Sequence, residues 1–562
     1  MKRLVNFFAS HGRAARQHLP TARSIYRCLR QKKASLLPPL RVRTKRRRPA
    51  LRLAVLFLLC LFVSSLVHAA DIEVNDNCSL QDAIAAANND IATAGCPAGD
   101  DADSIILAED ASIALLAEIA AITSDITLEG NGATIDAAEQ FRIFHVLEGA
   151  SLTVNDVILQ NGRSESKAGG TIFAESGSVT INDSLIQFSY APIGGALAAL
   201  DGDIILNRSQ IKGSAAKASG SAIWVAGESR AEVIDSTIGG AANADANATD
   251  RGGTINISDG SLLVKNSVIA NNSADAGGAI NNLKGAVEII NSELSKNAAD
   301  EGAGIYNLGG TLVIANSVIE DNQATTYGAG IFSGRGTVTI TDSAFSRNDS
   351  DGSGGAIYSV KDTLAIASSN FTENAAADHG GGIFSGETTL NIADSLVQGN
   401  TASYGAGITI NDGNFEITAS SIKDNAAAEN GGAMMQFKGS GAITNTSLTN
   451  NSALYGGGIR IWEGTIQISA SELSGNSAIR TGGALIAIHS SVSITGSQIL
   501  NNSANQAGGL ASDGGTINID GGAIFNGNRA GLTPDLMTIN SDTSISDDTV
   551  ISEDGQHHID PR

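Results

Sequence analysis

Between Gly169 and Gly508 one phrase returns every 25 or 26 residues: glycine, a small residue and an aliphatic, then Ser-x-aliphatic-x-x-Asn, with Phe at times in the aliphatic place. The phrase starts at Gly169, Gly194, Gly220, Gly252, Gly277, Gly302, Gly328, Gly354, Gly380, Gly405, Gly431, Gly456, Gly482 and Gly508, with one long step from Gly220 to Gly252. A unit this small cannot bury its own apolar face, so the period means stacked coils. Length alone, 562 residues, argues for several globular domains. A solenoid grows by adding coils, and one elongated domain is the better reading.

Within the coil Gly302–Ala324 three strand-like pieces stand out: Gly304–Tyr306, Thr311–Ile314 and Val318–Glu320. Each is too short for a helix and is bounded by Gly or Asn. Stacking them predicts an all-β parallel β-helix with three short strands per coil, side chains lining up by type at about 4.8 Å. Ile280, Ile305, Ile331 and Ile357 begin one inward row; Ile269, Leu294, Ile319 and Phe345 begin another. Beside them runs a polar row of Asn272, Asn297, Asn322, Asn348, Asn374, Asn400, Asn425, Asn451, Asn476 and Asn502. Neutral amides are weak cation ligands but donate readily to one another, so the row reads as a structural ladder, with no metal site and no cofactor. The glycines read as turn and close-packing positions, since no helix follows them to make a phosphate loop.

Sixteen of the 36 Lys and Arg lie at or before Arg52, ahead of every acidic residue; the other 20 face 58 Asp and Glu, a formal −38. The basic stretch runs into the apolar segment 53–63 and a small-residue site at Ala69-Ala70, which reads as a signal peptide and export to a cell surface, outer membrane or extracellular space. After cleavage no membrane span is expected. Cys78 and Cys96 then remain, and an oxidising destination predicts a disulfide between them. So acidic a chain is a poor partner for nucleic acid. The expected parts are leader 1–70, cap and first coils 71–165, β-helix repeats 166–530, and an acidic polar tail 531–562.

The phrases Gly354-Gly-Ala-Ile357, Phe345-Ser-Arg-Asn348 and Phe371-Thr-Glu-Asn374 resemble the GGA[ILV] and FxxN repeats of the polymorphic outer membrane proteins. That resemblance implies a right-handed β-helix of the secreted, adhesin type. Upstream, Cys78-Ser-Leu-Gln-Asp-Ala-Ile84 and Ile126–Ile135 resemble the CSLREA-type region that opens secreted bacterial β-helix proteins. Ser79 with Asp82 approximates a capping box, and Leu80, Ile84 and Ala87 share one helical face, which predicts a short helix closing the first coil.

For chemistry, the paired carboxylates of a glycoside hydrolase and the acidic cluster beside a basic residue of a lyase are both missing from the linear pattern. His379, with Asp378 before it and Arg335 and Arg460 in other coils, is the best catalytic candidate. A second feature is aromatic. Phe173, Trp224, Tyr306, Phe332, Tyr358 and Phe384 each follow an inward aliphatic, and Tyr327, Tyr404 and Tyr455 each precede a glycine; by alternation they form an outward stripe suited to a glycan or protein surface. The reading that follows is a non-enzymatic adhesion or interaction scaffold with no catalytic residue. A polysaccharide lyase or glycoside hydrolase of the same fold is the alternative, and a structural surface spacer the third.

Overall fold

The computed structural model describes residues 70–551 and the backbone of the strand His557–Asp560; the basic leader and apolar segment lie outside the described residues. From Gly302 onward the chain makes one coil. Gly302 has φ +61°, and a Cβ there would come 2.4 Å from the Ile305 carbonyl oxygen, so the sharp corner requires glycine. The strands Ile305–Leu308, Thr311–Ala315 and Val318–Glu320 follow, divided by left-handed residues at Gly309 and Asn316. These are the three expected positions. Many coils add a fourth, here Gln323–Tyr327, which leads back to the glycine corner.

Each strand pairs in parallel with its equivalent one coil on: Ile305 with Ile331, Leu312 with Val338, Ile319 with Phe345, Gln323 with Asp349. About 17 coils stack in this way. Ile305, Leu312, Ile314 and Ile319 are wholly buried, each contributing roughly 1.5–3 kcal/mol over exposure, but only because the coils above and below cover them.

Two polar ladders run through the wall. Asn322 Nδ2 donates to Asn348 Oδ1 at 2.9 Å and to the Leu294 carbonyl at 3.0 Å. The same pattern extends from Asn247 to Asn528, whose amide ends on Asp535 Oδ1 at 2.8 Å. The serine of the repeated phrase forms the second. The Ser317 backbone N–H donates to Ser343 Oγ at 3.1 Å, and Ser343 Oγ donates to the Thr341 carbonyl at 2.7 Å. Both rows satisfy buried backbone groups at corners where the sheet ladders break.

At the N-terminal end the helix Leu80–Asn89 buries Leu80, Ala83, Ile84, Ala86 and Ala87. Ser79 caps it, accepting from the Asp82 backbone N–H at 3.2 Å, and the Cys78–Cys96 disulfide brackets it with a Cα–Cα distance of 4.8 Å. Asn88 ties it to the coils through the Ala121 carbonyl and the Thr123 N–H, both at 2.8 Å.

The other end departs from expectation. Residues 531–562 are not simply a polar tail: Leu536–Ile545 pairs with Leu510–Asp520, Val550–Ile551 with Ile524–Asn526, and His557–Asp560 with Leu536–Ile545. Leu536 and Thr538 are buried in alternation, so the stack continues without its glycine phrase. The corner at Gly508 also shifts by one, with Ala507 taking the left-handed conformation at φ +52°. In the long step, the insertion forms a short 3-10 turn, Asn243–Asp245, tethered by Lys212 Nζ to Asp245 Oδ1 at 3.2 Å, and Asn247 immediately rejoins the ladder. Among the described residues no helix is long and apolar enough to cross a membrane.

Candidate functional site

The glycine corner brings two outward rows together. One is the residue before the glycine, including Tyr327, Ser353, His379, Tyr404, Asn430 and Tyr455; the other follows the first inward aliphatic, including Tyr306, Phe332, Tyr358, Phe384, Thr409, Met435 and Arg460. Neighbours within each row pair across coils. The two rows form a continuous angle along the solenoid.

The second row carries stacked rings. Tyr306, Phe332, Tyr358 and Phe384 lie with successive centroids 4.8, 5.4 and 4.6 Å apart and planes within 12° of parallel, and Tyr327 stacks on Tyr358 at 4.6 Å. Each inner ring therefore has its faces covered by other rings and turns an edge outward. Over these four coils the outward stripe is a stack of rings. Phe384 is only 8% exposed. The stripe is not continuous, since Asn256 and Asn281 stand between Trp224 and Tyr306 in the paired register. Phe173 is buried, stacks on His145 at 5.2 Å, has Arg142 over its ring at 5.5 Å, and packs with Trp224 around Ala168 and Ala198.

Where the rings end, chemistry begins. A cleft of about 370 Å³ is lined by Tyr327, Ser353, Tyr358, Asp378, His379, Phe384, Thr409, Asn411, Met435 and Phe437. His379 stacks on Tyr404 at 4.8 Å, leans on Phe384 at 6.1 Å, and holds Nε2 3.6 Å from Asp378 Oδ1. Its Nδ1 is buried without a hydrogen-bond partner. Burial pushes the imidazole below the usual histidine range, against the opposing pull of Asp378, so the ring is neutral at pH 7 and free to accept a proton.

Arg460 enters from the other row. It donates to Asn430 Oδ1, and its guanidinium lies over Tyr455 at 5.3 Å and over Trp462 at 5.8 Å. Burial lowers its pKa, while Tyr455, Tyr404 and Glu429 raise it; an arginine so placed remains a cation. Asn430 lies two coils beyond His379, on the order of 10 Å at the coil spacing, with Tyr404 between them. A neutral base, a phenol and a cation thus lie in sequence along one corner.

No family model matches the chain, and no curated protein matches it. Solved structures do. The periplasmic alginate epimerase AlgG is 10% identical over 71% of this chain and 78% of its own, with a TM-score of 0.24. The A-module of the Azotobacter vinelandii mannuronan C-5 epimerase AlgE6 is 12% identical over 65% and 90%, at 0.23. The PL6 family alginate lyase AlyGC is 10% identical over 86% and 100%, at 0.20. The likeness is one of fold, the parallel β-solenoid.

These structures are named as two epimerases and a lyase, not as adhesins, and the expectation of a non-enzymatic adhesion scaffold without catalytic residues is not carried further. The ground within this chain is the cleft itself. His379 stacks on Tyr404, whose backbone N–H donates to the Asp378 carbonyl at 2.8 Å and which sequence alone assigned to a separate aromatic stripe. Arg335 takes no part: it sits at a left-handed turn after the strand Ile331–Gly334, at the far end from the glycine corner. Asn430 was missed because only its place in the pre-glycine row marks it. Among the described residues no group of three or more His, Cys, Asp and Glu is arranged to hold a metal ion.

Proposed function

We propose that this chain is a polysaccharide-modifying enzyme that removes the proton next to the carboxylate of a uronate sugar. The observation that carries this is the His379–Tyr404 stack beside the cleft, with Arg460, three coils on, reaching back to Asn430. Neutral His379 takes the proton. Arg460 balances the charge that develops on the substrate carboxylate as the carbon acid ionises, which is worth most where water is excluded. The Tyr404 phenol, between them, supplies a proton, either to the opposite face of the carbon, giving the epimer, or to the departing glycosidic oxygen, giving an unsaturated chain end. Hydrolysis fits less well, since it needs a carboxylate pair and Asp378 is the sole carboxylate among the described lining residues.

The edges of Tyr306, Phe332, Tyr358 and Phe384 form the floor leading to this cleft. Ring edges carry the positive side of the aromatic quadrupole and favour oxygen atoms, which suits a hydroxyl-rich chain lying lengthwise. The disulfide at the cap supports the exported location read from the leader. The repeats like those of polymorphic outer membrane proteins and the CSLREA-like opening are read as the source of the fold, and the solenoid domain as running from the cap through the coil at residues 536–551.

The test is incubation of the purified protein with alginate, pectate and neutral polysaccharides, following unsaturated chain ends by ultraviolet absorbance and epimerisation by proton exchange from deuterated water. Either signal on an acidic polymer alone is the expected result. Reducing ends released without unsaturation or exchange would reassign the cleft to hydrolysis.

A further inference from the structure

Arg142, Arg163, Arg208, Arg230 and Arg347 each have a carboxylate oxygen within 4.0 Å. Arg251, Arg335, Arg460, Arg480 and Arg529 have none among the described residues, and of these five Arg460 and Arg480 share a tyrosine, Tyr455. Arg460 lies 5.3 Å and Arg480 5.7 Å from the ring centroid, and Arg480 Nη1 donates to the Tyr455 hydroxyl at 3.0 Å. Arg460 Nε is buried with no acceptor. Glu429 favours the Arg460 charge without coming within 4.0 Å, and a buried donor left without an acceptor destabilises the fold. An anion at this place would supply the acceptor.

The arrangement also has a direction. Arg460 reaches back to Asn430 and Arg480 reaches back to Tyr455, positions that pair across adjacent coils. The two cations are therefore offset by about one coil, roughly 4.8 Å, a distance of the same order as the advance of a glycan chain per sugar.

We infer that Arg460 and Arg480 form a paired anion subsite for the carboxylates of two consecutive sugars, so that the substrate is a polyanion charged on every unit and lies along the solenoid axis. The inference rests on the reading of the cleft as a polysaccharide site. Arg460 serves the sugar that reacts, and Arg480 holds its neighbour and acts as a positioning residue.

Calorimetric titration of the full chain carrying His379→Gln, so that turnover does not intervene, tests it with three hexasaccharides: one with a carboxylate on every sugar, one with a carboxylate on alternate sugars, and one neutral. The expected order of affinity follows charge, tightest for the fully charged ligand. Arg480→Gln should weaken that ligand about tenfold, as loss of one charge-assisted contact does, with Arg480→Lys recovering most of it and the neutral ligand unaffected. Equal binding of the fully charged ligand with and without Arg480→Gln overturns the subsite, as does an equal loss for the neutral ligand, or no binding of any of the three. If the binding depends on Arg480 but the wild-type protein alters no polymer, the catalytic reading fails and the subsite stands.

Discussion

The coils from Arg142 to Asn281 and those from Tyr306 to Arg480 share one stacked backbone, with the glycine corner from Gly169 and the asparagine ladder from Asn247 onward. They differ at two outward rows. In the first set the post-aliphatic row holds His145, Phe173, Ala198, Trp224, Asn256 and Asn281, and its only histidine is engaged, with Nε2 2.8 Å from Glu175 Oε2 and its ring stacked on Phe173. In the second set the same position holds four stacked rings and then Arg460, while the row beside it contributes His379 and Tyr404. A repeat spends its regular positions on holding coils together. What a solenoid does is written where it departs from its own period.

The largest effect should come from testing the two histidines side by side. His379→Gln is expected to lower kcat by about 10²- to 10⁴-fold, the usual loss of a general base, while His145→Gln leaves it unchanged. The imidazole of His379 is depressed below 6.5, so the base is lost only as pH falls through that lower value. The acid limb of the wild-type pH–rate profile should accordingly lie below pH 6.5. Comparable losses in the two variants would erase the distinction between the two sets of coils.

Next come the inward rows, where the two sets should behave alike. Asn400 Oδ1 accepts from the Asn374 backbone and side chain at 2.9 and 3.0 Å, and its amide donates to Asn425 and to the Phe371 carbonyl. Asn400→Ala is expected to cost about 3 kcal/mol in denaturant unfolding, several buried hydrogen bonds being lost together, and Asn272→Ala in the first set about as much. A cost near zero for either would mean that the ladder is decorative there.

The smallest effect concerns Asp362, in the second set, at a place where neighbouring coils have Gly310 and Gly336. It is buried, accepts from the Gly336 N–H and from Ser359 Oγ, and its pKa is raised chiefly by burial. A raised carboxyl holds its proton more tightly folded than unfolded, so ionisation destabilises the fold as pH rises above the unfolded value near 3.8. Asp362→Asn should therefore raise the unfolding midpoint modestly at pH 7 and leave it unchanged near pH 3. A gain that persists at acid pH would point to packing instead of charge.

Much of the fold was legible because every inward residue repeats in phase. Ile305, Ile319 and Asn322 each announce their row by position and residue type alone. The chain's last coil was not legible, because Leu536 and Thr538 enter the core without the glycine phrase and Asp535 stands in for an asparagine. The site was half legible. His379, Asp378 and Arg460 could be picked out by residue type, and Tyr404 and Tyr455 by ring, but nothing in the linear order joins the two groups or sets Arg335 aside.

The amino-acid sequence by itself determined the solenoid, its strands, its ladders and the capped N-terminal end, since these follow from local turn chemistry and from periods that each coil carries within itself. Only the tertiary structure decided which outward residues meet. Steps of 25 and 26 residues set the register between coils, the glycine corner folds two rows against each other, and long side chains such as Arg460 and Arg480 reach back across a coil boundary. Those contacts join residues 25 to 30 positions apart, His379 to Tyr404 and Asn430 to Arg460, and proximity of that kind exists only once the coils are stacked.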